Sequence, residues 1–294
     1  MSAPASPGTP GTLQRWILAA RIRTLPAAAV PVVIGASLTR PHTYNVLNTV
    51  LCLVVALALQ IGTNFANDYS DGVRGTDEVR VGPFRLTASK LVPARSVRAT
   101  AIAFFALAAV AGLALSLRST WVFIPLGMSA VAAGWFYTGG PKPYGYFGFG
   151  ELFVMLYFGF VATVGTAYAQ HAHVPAGAWW WGLCTGSMAC ALLEANNLRD
   201  VAGDQVAGKK TLAARLGRRN GSWLYAVFVA GSVLGASLGG EALVAAVALT
   251  MYIPALQMAF SQRAGRELLP LLKQSSYAQW TVGAATALVM FVTR

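Results

Sequence analysis

The sequence predicts an all-helical integral membrane protein with nine transmembrane helices, its N-terminus in the cytoplasm and its C-terminus outside. Three observations predict this architecture: the composition, a series of nine long apolar runs, and a one-sided distribution of basic residues. Hydrophobic residues occupy 56% of the 294 positions and charged residues 11%, whereas soluble domains are about 25% charged. This composition excludes an ordinary soluble enzyme or binding domain.

The nine apolar runs each approach the roughly 20 residues that a helix needs to cross a bilayer core about 30 Å thick. They are too long, and alternate too little, for the strands of a membrane barrel, so we interpret them as helices. Residues 1–14 form a predicted flexible tail without the basic start of a signal peptide, followed by a single transmembrane domain at 15–294. The predicted spans are 18–38, 46–66, 98–117, 121–138, 150–169, 178–197, 221–238, 242–260 and 275–293.

The orientation follows from the basic residues, because Lys and Arg are retained on the cytoplasmic side. With the N-terminus inside, 19 of the 22 Lys and Arg residues lie on one side, and only Arg40, Arg118 and Arg294 lie outside. That side carries predicted catalytic loops at about 67–97, 138–150 and 197–220. We expect no nucleic-acid partner despite the net charge of +12, because the basic residues are spread over short loops between spans.

Acidic residues are rare and are crowded into two segments. Asp and Glu total only 10, and seven of them lie in NFANDYSDGVRGTDE (64–78) and EANNLRDVAGD (194–204). Both segments stand at the predicted cytoplasmic ends of spans, so the two acidic groups face the same compartment. The seven residues are Asp68, Asp71, Asp77, Glu78, Glu194, Asp200 and Asp204.

Within each segment the spacing places the polar residues on one helix face. Separations of three and four residues are those of neighbours on a helix surface. The structural alternative is a solvated helix end whose carboxylates pair with nearby arginines. However, carboxylates that converge at a membrane surface repel one another unless cations hold them. The two faces are Asn64, Asp68 and Asp71, and Asn196, Asp200 and Asp204.

Magnesium suits this arrangement, because Mg²⁺ binds through a few carboxylates and completes its shell with substrate phosphates. The two faces therefore predict a metal pair that bridges a diphosphate, and basic side chains nearby could contact the phosphate oxygens that the metals leave free. We expect Asp68, Asp71, Asp200 and Asp204 to be the catalytic and metal-binding residues. The candidate phosphate contacts are Arg74, Arg199, Lys209 and Lys210.

A third segment, FYTGGPKPYGYFGFGE (136–151), is too rich in Gly, Pro and Tyr for a continuous helix. Its aromatic residues, Tyr137 and Tyr144 among them, could line the pocket of an organic acceptor or shield a cation with their ring faces. An interfacial aromatic belt is the structural alternative. Lys142 is the only charged residue of this loop before Glu151.

Two other functional classes share parts of these patterns. An ion-coupled transporter also places carboxylates beside broken helices, but its acids should lie near the bilayer midplane, whereas here nearly all lie at one face. A CDP-alcohol phosphotransferase motif also begins with DxxDG, as Asp68, Asp71 and Gly72 do, but the residues shortly after Gly82, where that motif has two further aspartates, contain none. The transporter stays a minor alternative, and the phosphotransferase fails on its own motif.

Over almost its whole length the chain resembles the UbiA-type intramembrane aromatic prenyltransferases. The resemblance rests on RTLPAAAVPVVIGA, NDYSDGVRGTD, GPFRLTASKLVP, YTGGPKPYGYFGFGE and NNLRDVAGDQVAGKKTLAARLG, in this order. Within the family it is most similar to the branch that acts on 1,4-dihydroxy-2-naphthoate in menaquinone biosynthesis. Relatives that use 4-hydroxybenzoate or transfer a phytyl group share both aspartate motifs, so another aromatic acceptor stays open.

The resemblance implies helices around a central cavity in a bacterial cell membrane, with the active site facing the cytoplasm. It implies Mg²⁺-dependent transfer of a polyprenyl group from polyprenyl diphosphate to 1,4-dihydroxy-2-naphthoate, with release of diphosphate and CO₂, to give demethylmenaquinone. Asp77 stands where many relatives have a differently spaced aspartate. The residues expected to bind substrate are Asn64, Asn67, Tyr69, Arg74, Asp77, Tyr137, Lys142, Tyr144, Asn196, Asn197, Arg199 and Lys209.

Overall fold

The structure is a computed structural model that describes residues 11–39, 44–76 and 85–293. These residues form eleven α-helices, three short 3₁₀ helices and one π-helical segment, and no strand. The α-helices are α1 Thr12–Ala20, α2 Pro26–Ser37, α3 Val46–Arg74, α4 Ala94–Arg118, α5 Phe123–Phe136, α6 Gly150–Val154, α7 Ala162–His171, α8 Ala178–Val206, α9 Leu212–Leu238, α10 Ala242–Ala259 and α11 Leu269–Thr293.

The short helices connect these elements. The 3₁₀ helices are Ile22–Thr24, Tyr144–Phe147 and Gly265–Leu268, and the π-helical segment Met155–Val161 joins α6 to α7. The prediction of an all-helical protein is confirmed for the described residues. Each predicted span coincides with one helix or with consecutive helical segments, and nine membrane crossings stay a prediction.

Several helices are long and apolar enough to cross a membrane. Within the described residues, five satisfy this requirement by length and hydropathy, and a sixth span results if the first two helices, which are bent by 51°, count as one. A multi-pass membrane protein follows. The five are Val46–Arg74, Ala94–Arg118, Gly150–Gln170, Leu212–Leu238 and Ala242–Ala259, and the bent pair is Thr12–Thr24 with Pro26–Ser37.

Several helices extend beyond the predicted bounds of their spans, and two of them do so at the acidic motifs. The third helix continues past residue 66 to Arg74, and α8 continues past residue 197 to Val206. Hydropathy marks where a helix leaves the membrane, but the backbone hydrogen bonds continue until a residue breaks them. Gly75 ends α3 in the left-handed conformation, at φ 74°, which glycine adopts without strain. Both acidic motifs therefore lie on helices, as their spacing predicts.

Helix α8 lies in the middle of the core. It packs against α9, α2, α7, α11 and the π-helical segment. Trp181, Met188 and Leu198 of α8 are fully buried. The π-helical segment approaches α8 through glycines, because a Cβ atom at Gly159 would lie 2.6 Å from the Gly182 carbonyl oxygen. Small residues of this kind let membrane helices come into close contact.

A polar network ties three helix ends together at the end of the molecule away from the acidic motifs. Arg118 Nε donates to Asn48 Oδ1 at 2.9 Å, and Asn48 Nδ2 donates to the Ala169 carbonyl at 2.6 Å. Gln170 Nε2 donates to Thr49 Oγ1 at 3.1 Å. These bonds join the start of α3 to the ends of α4 and α7, and we refer to them as the Arg118 network.

Candidate active site

A cavity of about 790 Å³ runs along α3 between α2, α4, α5, the π-helical segment, α7 and α8. Its wall on α3 extends from Cys52 to Asp71, which at 1.5 Å per residue corresponds to about 28 Å. One end is apolar, and the other, which we call the charged end, is polar. The apolar end is lined by Val32, Val55, Leu115, Phe123 and Phe158, and the charged end by Arg21, Asp71, Arg85, Asp204 and Lys209.

Asp71 contacts three side chains at the charged end. Tyr146 Oη donates to its Oδ1 at 2.6 Å, and Lys209 Nζ donates to its Oδ2 at 3.1 Å. Arg85 Nη2 lies 3.8 Å from Oδ2. Only 2% of Asp71 is exposed, so these partners replace the water that a buried carboxylate loses.

Tyr146 contributes both a hydroxyl and a ring face to this group. Burial, and then the negative charge of Asp71, raise the pKa of the Tyr146 hydroxyl, so the phenol stays protonated and acts as a donor. The ammonium group of Lys209 lies 4.7 Å from the centre of the Tyr146 ring, where the electron-rich face attracts a cation. The loop aromatic therefore holds Asp71 and Lys209 together.

Asp204 brings the second motif to the same cavity wall. It lies in the last turn of α8, and the chain turns there at Gly208, whose φ is 71°. The Lys209 backbone N–H donates to the Asp204 carbonyl at 2.8 Å, and Thr211 Oγ1 lies 3.5 Å from Asp204 Oδ2. This turn carries Lys209 from the second motif to Asp71 of the first, so the two motifs meet.

The other aspartate of the first motif faces a different partner. Asp68 accepts hydrogen bonds from the backbone N–H groups of Leu86 at 2.8 Å and Thr87 at 2.9 Å. A Cβ atom at Gly72 would lie 2.5 Å from the Thr87 side chain, so the turn of residues 85–90 packs directly on α3. Asp68 therefore fixes the turn that delivers Arg85 to the charged end.

The other aspartate of the second motif is paired on its own helix. Arg199 Nε and Nη2 donate to the two oxygens of Asp200 at 2.8 and 2.7 Å. Arg199 and Asp200 are 3% and 5% exposed. In the part of the chain that the structure describes, neither Asp68 nor Asp200 lines the cavity.

The four asparagines of the motifs all line the cavity. Asn64 Nδ2 donates to the Ala20 carbonyl at 2.9 Å, which ties α3 to the bend between α1 and α2. Asn67 Oδ1 accepts from Thr138 Oγ1 at 2.7 Å, and Asn197 Nδ2 donates to Glu151 Oε1 at 2.9 Å. Asn196 Nδ2 donates to the Leu192 carbonyl at 3.2 Å.

Aromatic side chains form the wall opposite α3. The Tyr144 and Phe153 rings stack with centroids 4.1 Å apart, and Phe153 and Tyr157 with centroids 6.2 Å apart. Tyr137 contacts Tyr144 edge to face at 5.5 Å. All four rings line the cavity, and a role of Tyr137 and Tyr144 in binding the acceptor stays a prediction.

The charged end offers oxygen ligands without a complete metal site. Among the described residues, no group of three His, Cys, Asp or Glu side chains is arranged to hold a metal ion. Asp71 and Asp204 are the carboxylates that reach the cavity wall there. This donor set fits Mg²⁺, because that ion takes one or two carboxylates and completes its shell with water and phosphate oxygens.

Comparison with known proteins decides the family. The model of the UbiA prenyltransferase family matches residues 28–268. The chain belongs to the UbiA prenyltransferase family. It is 44% identical over 285 residues to a 1,4-dihydroxy-2-naphthoate octaprenyltransferase of Mycobacterium tuberculosis, covering 93% of this chain and 96% of that protein. Proteins of the same name from Haemophilus influenzae and Escherichia coli are 34% and 35% identical, with 90% and 75% of this chain covered and 91% and 74% of those proteins.

Solved UbiA structures share the fold. The apo structure of a UbiA homolog from Aeropyrum pernix K1 matches with a TM-score of 0.69 at 17% identity, covering 92% of this chain and 97% of that one. A UbiA homolog from Archaeoglobus fulgidus bound to GPP and Mg²⁺ matches with a TM-score of 0.65 at 15% identity, covering 95% and 100%.

The positions of the predicted site residues in this UbiA protein fall into two groups. Nine line the cavity: Asn64, Asn67, Asp71, Tyr137, Tyr144, Asn196, Asn197, Asp204 and Lys209. Six do not, within the described residues: Asp68, Tyr69, Arg74, Lys142, Arg199 and Asp200. Asp77 lies outside the residues that the structure describes.

The three remaining residues of the second group have structural contacts or solvent exposure instead. Tyr69 packs on Trp135, with ring centroids 6.4 Å apart. Arg74 donates to the carbonyls of Thr138 and Gly140 and so holds the start of the loop after α5. Lys142 is exposed on that loop. Two of the predicted phosphate contacts therefore bind other groups of the protein: Arg74 binds backbone carbonyls and Arg199 binds Asp200.

Sequence reasoning missed Arg21 and Arg85 as parts of the charged end, and it missed Glu151 as the partner of Asn197. Arg85 lies in the segment GPFRLTASKLVP, which contributed to the family resemblance but carried no role for any one residue. Its position near the first acidic motif was a usable signal. Nothing in the spacing connects Glu151 with Asn197, which are far apart in the chain.

Replacing Asp68 tests its role in fixing the 85–90 turn. Asp68→Ala should release the Leu86 and Thr87 amides and increase trypsin cleavage after Arg85 and Lys90 by roughly tenfold or more, because hydrogen bonds to a charged group contribute about 1.5–3 kcal/mol. Glu267→Ala is the control, since Glu267 is an exposed carboxylate on the 3₁₀ helix Gly265–Leu268. Equal cleavage of the two variants and the parent protein would show that Asp68 does not hold the turn.

Proposed function

We propose that the chain transfers a polyprenyl group from polyprenyl diphosphate to 1,4-dihydroxy-2-naphthoate, releasing diphosphate and CO₂. The observation that carries the proposal is the Lys209–Asp71 contact of 3.1 Å, which unites the two acidic motifs at the charged end of a long apolar cavity. The relatives at 34–44% identity that bear this enzyme name support the choice of acceptor.

Asp71 and Asp204 are the residues that would hold Mg²⁺, two ions in the proposal, at the charged end. When bound, the metal supplies Lewis-acid stabilisation of the negative charge that grows on the departing diphosphate. Lys209 and Arg85, which neutralise Asp71 in the structure, then stand beside the diphosphate oxygens. Asp68 and Asp200 act indirectly in this scheme, through the 85–90 turn and through Arg199.

The rest of the cavity suits the reaction because it is apolar. The carbon–oxygen bond of the donor breaks with its electron pair on diphosphate, and a carbon–carbon bond forms to the electron-rich ring. The ring then loses its carboxylate as CO₂, so the direct product is demethylmenaquinone in its dihydroxy form. Walls such as Val55, Leu115 and Phe158 accept the prenyl tail and exclude the water that would capture an allylic cation.

The proposed topology has nine transmembrane helices in one domain at 15–294, with the N-terminus and the charged end in the cytoplasm and the C-terminus outside. The 19 basic residues on one side support it, because positive loops stay inside. Lys142 and the charged end lie at the same end of the bundle, and Arg118 lies at the other. The cell membrane is the matching location.

Cysteine labelling tests this orientation, since the native Cys52, Cys184 and Cys190 are buried. In intact cells a membrane-impermeant maleimide should label Thr120→Cys in the α4–α5 loop but not Lys142→Cys. Lys142→Cys should react only after the membrane is permeabilised. The reverse labelling would overturn the orientation.

An acceptor competition tests the reaction itself. Purified protein with Mg²⁺ and a polyprenyl diphosphate should be given equal amounts of 1,4-dihydroxy-2-naphthoate and 4-hydroxybenzoate, and the products weighed by mass spectrometry. We expect a prenylated naphthalene that has lost CO₂, and little prenylated 4-hydroxybenzoate. Predominant prenylation of 4-hydroxybenzoate, or a naphthalene product that keeps its carboxylate, would contradict the proposed reaction.

Isosteric variants test the two cavity carboxylates. Asp71→Asn and Asp204→Asn keep the side-chain shape and remove the charge, so each should lower turnover on the order of 100-fold or more in protein that stays monodisperse in detergent. The exposed Glu267 provides the matched control as Glu267→Gln. A chelator should stop the parent enzyme reversibly. Turnover that persists in both variants, or without any divalent ion, would exclude the metal assignment.

A further inference from the structure

We propose that the carbonyl oxygen of Asn197 recognises a hydroxyl group of the aromatic acceptor, and that Glu151 is the positioning residue that orients this amide. The inference rests on the proposed function, because it assigns a place to the acceptor within the same cavity. Four observations carry it: the Asn197–Glu151 contact, the anchoring of Glu151, the depth of Asn197 in the cavity, and the aromatic wall beside it.

The contact fixes which end of the amide points where. Asn197 Nδ2 donates to Glu151 Oε1 at 2.9 Å, and the two residues are 8% and 6% exposed. An asparagine side chain has one donor end and one acceptor end, and the donor end faces Glu151. Glu151 therefore takes the NH₂ end of Asn197. The carbonyl end is left to the cavity, which Asn197 lines.

Contacts to the backbone around Glu151 hold this residue in place. Cys190 Sγ donates to the Glu151 carbonyl oxygen at 3.2 Å. At the preceding residue, Gly150, a Cβ atom would lie 3.3 Å from the Leu193 side chain and 3.3 Å from the Tyr137 ring. The start of α6 is thus pressed against α8, the helix that carries Asn197. An anchored carboxylate can orient the amide, whereas a mobile one could not.

Asn197 lies deeper in the cavity than the carboxylates. Asn197 and Asp204 are seven residues apart on α8, which places them on one helix face about 10 Å apart along the axis. Diphosphate bound near Asp204 would leave its allylic carbon on the side of the cavity where Asn197 stands. That is where the acceptor ring must approach to form the new bond.

The neighbouring wall matches a flat aromatic ligand. Tyr144, Phe153 and Tyr157 form the stacked series described above. Tyr137 joins this series through its contact with Tyr144, and a Cβ atom at Gly150 would touch both the Tyr137 ring and Leu193 of α8. Aromatic rings favour stacked and edge-to-face contacts with one another. An aromatic wall beside a single fixed hydrogen-bond acceptor suits a hydroxylated ring, because the wall binds its face and the oxygen binds its hydroxyl.

Glu151 acts through Asn197 and not on the substrate. In the part of the chain that the structure describes, Glu151 is absent from the cavity wall while Asn197 is present. Its role is therefore orientation, which an uncharged acceptor of equal length can also provide. A general base at this position would need a carboxylate. Glu151→Gln would therefore preserve an orienting role but abolish a role as general base.

The experiment compares Glu151→Gln with Glu151→Met, two variants of similar volume of which only Gln keeps an acceptor for Asn197. With Mg²⁺, polyprenyl diphosphate and 1,4-dihydroxy-2-naphthoate, Glu151→Met should raise the KM for the naphthoate roughly five- to tenfold, the value of one hydrogen bond. Glu151→Gln should stay within about twofold of the parent. The KM for the prenyl diphosphate should not change in either variant.

A second variant removes the amide itself. Asn197→Leu should raise the naphthoate KM as Glu151→Met does, and the double variant should be no worse than either single one, because both changes act through one hydrogen bond. If Glu151→Met proves unstable, Asn197→Leu with Glu151→Gln carries the test.

Three outcomes would overturn the inference. They are equal loss of activity in Glu151→Gln and Glu151→Met, an unchanged naphthoate KM in Asn197→Leu, or a parallel rise in the KM for the prenyl diphosphate. The parent enzyme separates this inference from the proposed function. If the parent converts the naphthoate and the variants behave otherwise than stated, only the role of Glu151 and Asn197 fails. If the parent converts no naphthoate, the proposed function fails first.

Discussion

The buried carboxylate of Asp71 is the group on which the site depends. It lies on α3, yet its partners come from the 3₁₀ helix after α5, the 85–90 turn and the segment after α8. A buried charge is stable only with partners that offset its lost hydration. The Asp71 carboxylate therefore requires that three segments, distant in sequence, lie close to it. The convergence creates the charged end before any substrate is present.

Within each acidic motif, the helical repeat directs the two aspartates towards different surroundings. Residues three apart on a helix differ by about 60° around the axis, so Asp71 can face the cavity while Asp68 faces the 85–90 turn. In the second motif Asp204 reaches the cavity wall and Asp200 pairs with Arg199. One carboxylate of each pair is thus available for chemistry, and the other secures the backbone or a cation behind it.

Much of the helical structure could be predicted from the sequence, because apolar length and the spacing of polar residues act locally. The helices and the helical faces of Asn64 and Asn196 followed from such local patterns, whereas Asn67 and Asn197 were expected only from the family resemblance. The division between Asp68 and Asp71 could not, since it depends on where residues 85–90 fold back. The place of Arg85 at the charged end could not be predicted for the same reason. Lys209 follows Asp204 by only five residues, so its closeness to the second motif could be predicted from the spacing.

The Arg118 network closes the bundle one helical turn beyond the apolar end of the cavity. Its members Asn48, Ala169 and Arg118 follow or precede the cavity residues Cys52, Thr166 and Leu115 by three or four positions. An isoprenoid chain longer than this channel therefore meets a hydrogen-bonded floor. Under the proposed function, the cavity would enclose only the part of a prenyl tail that lies between the charged end and this floor.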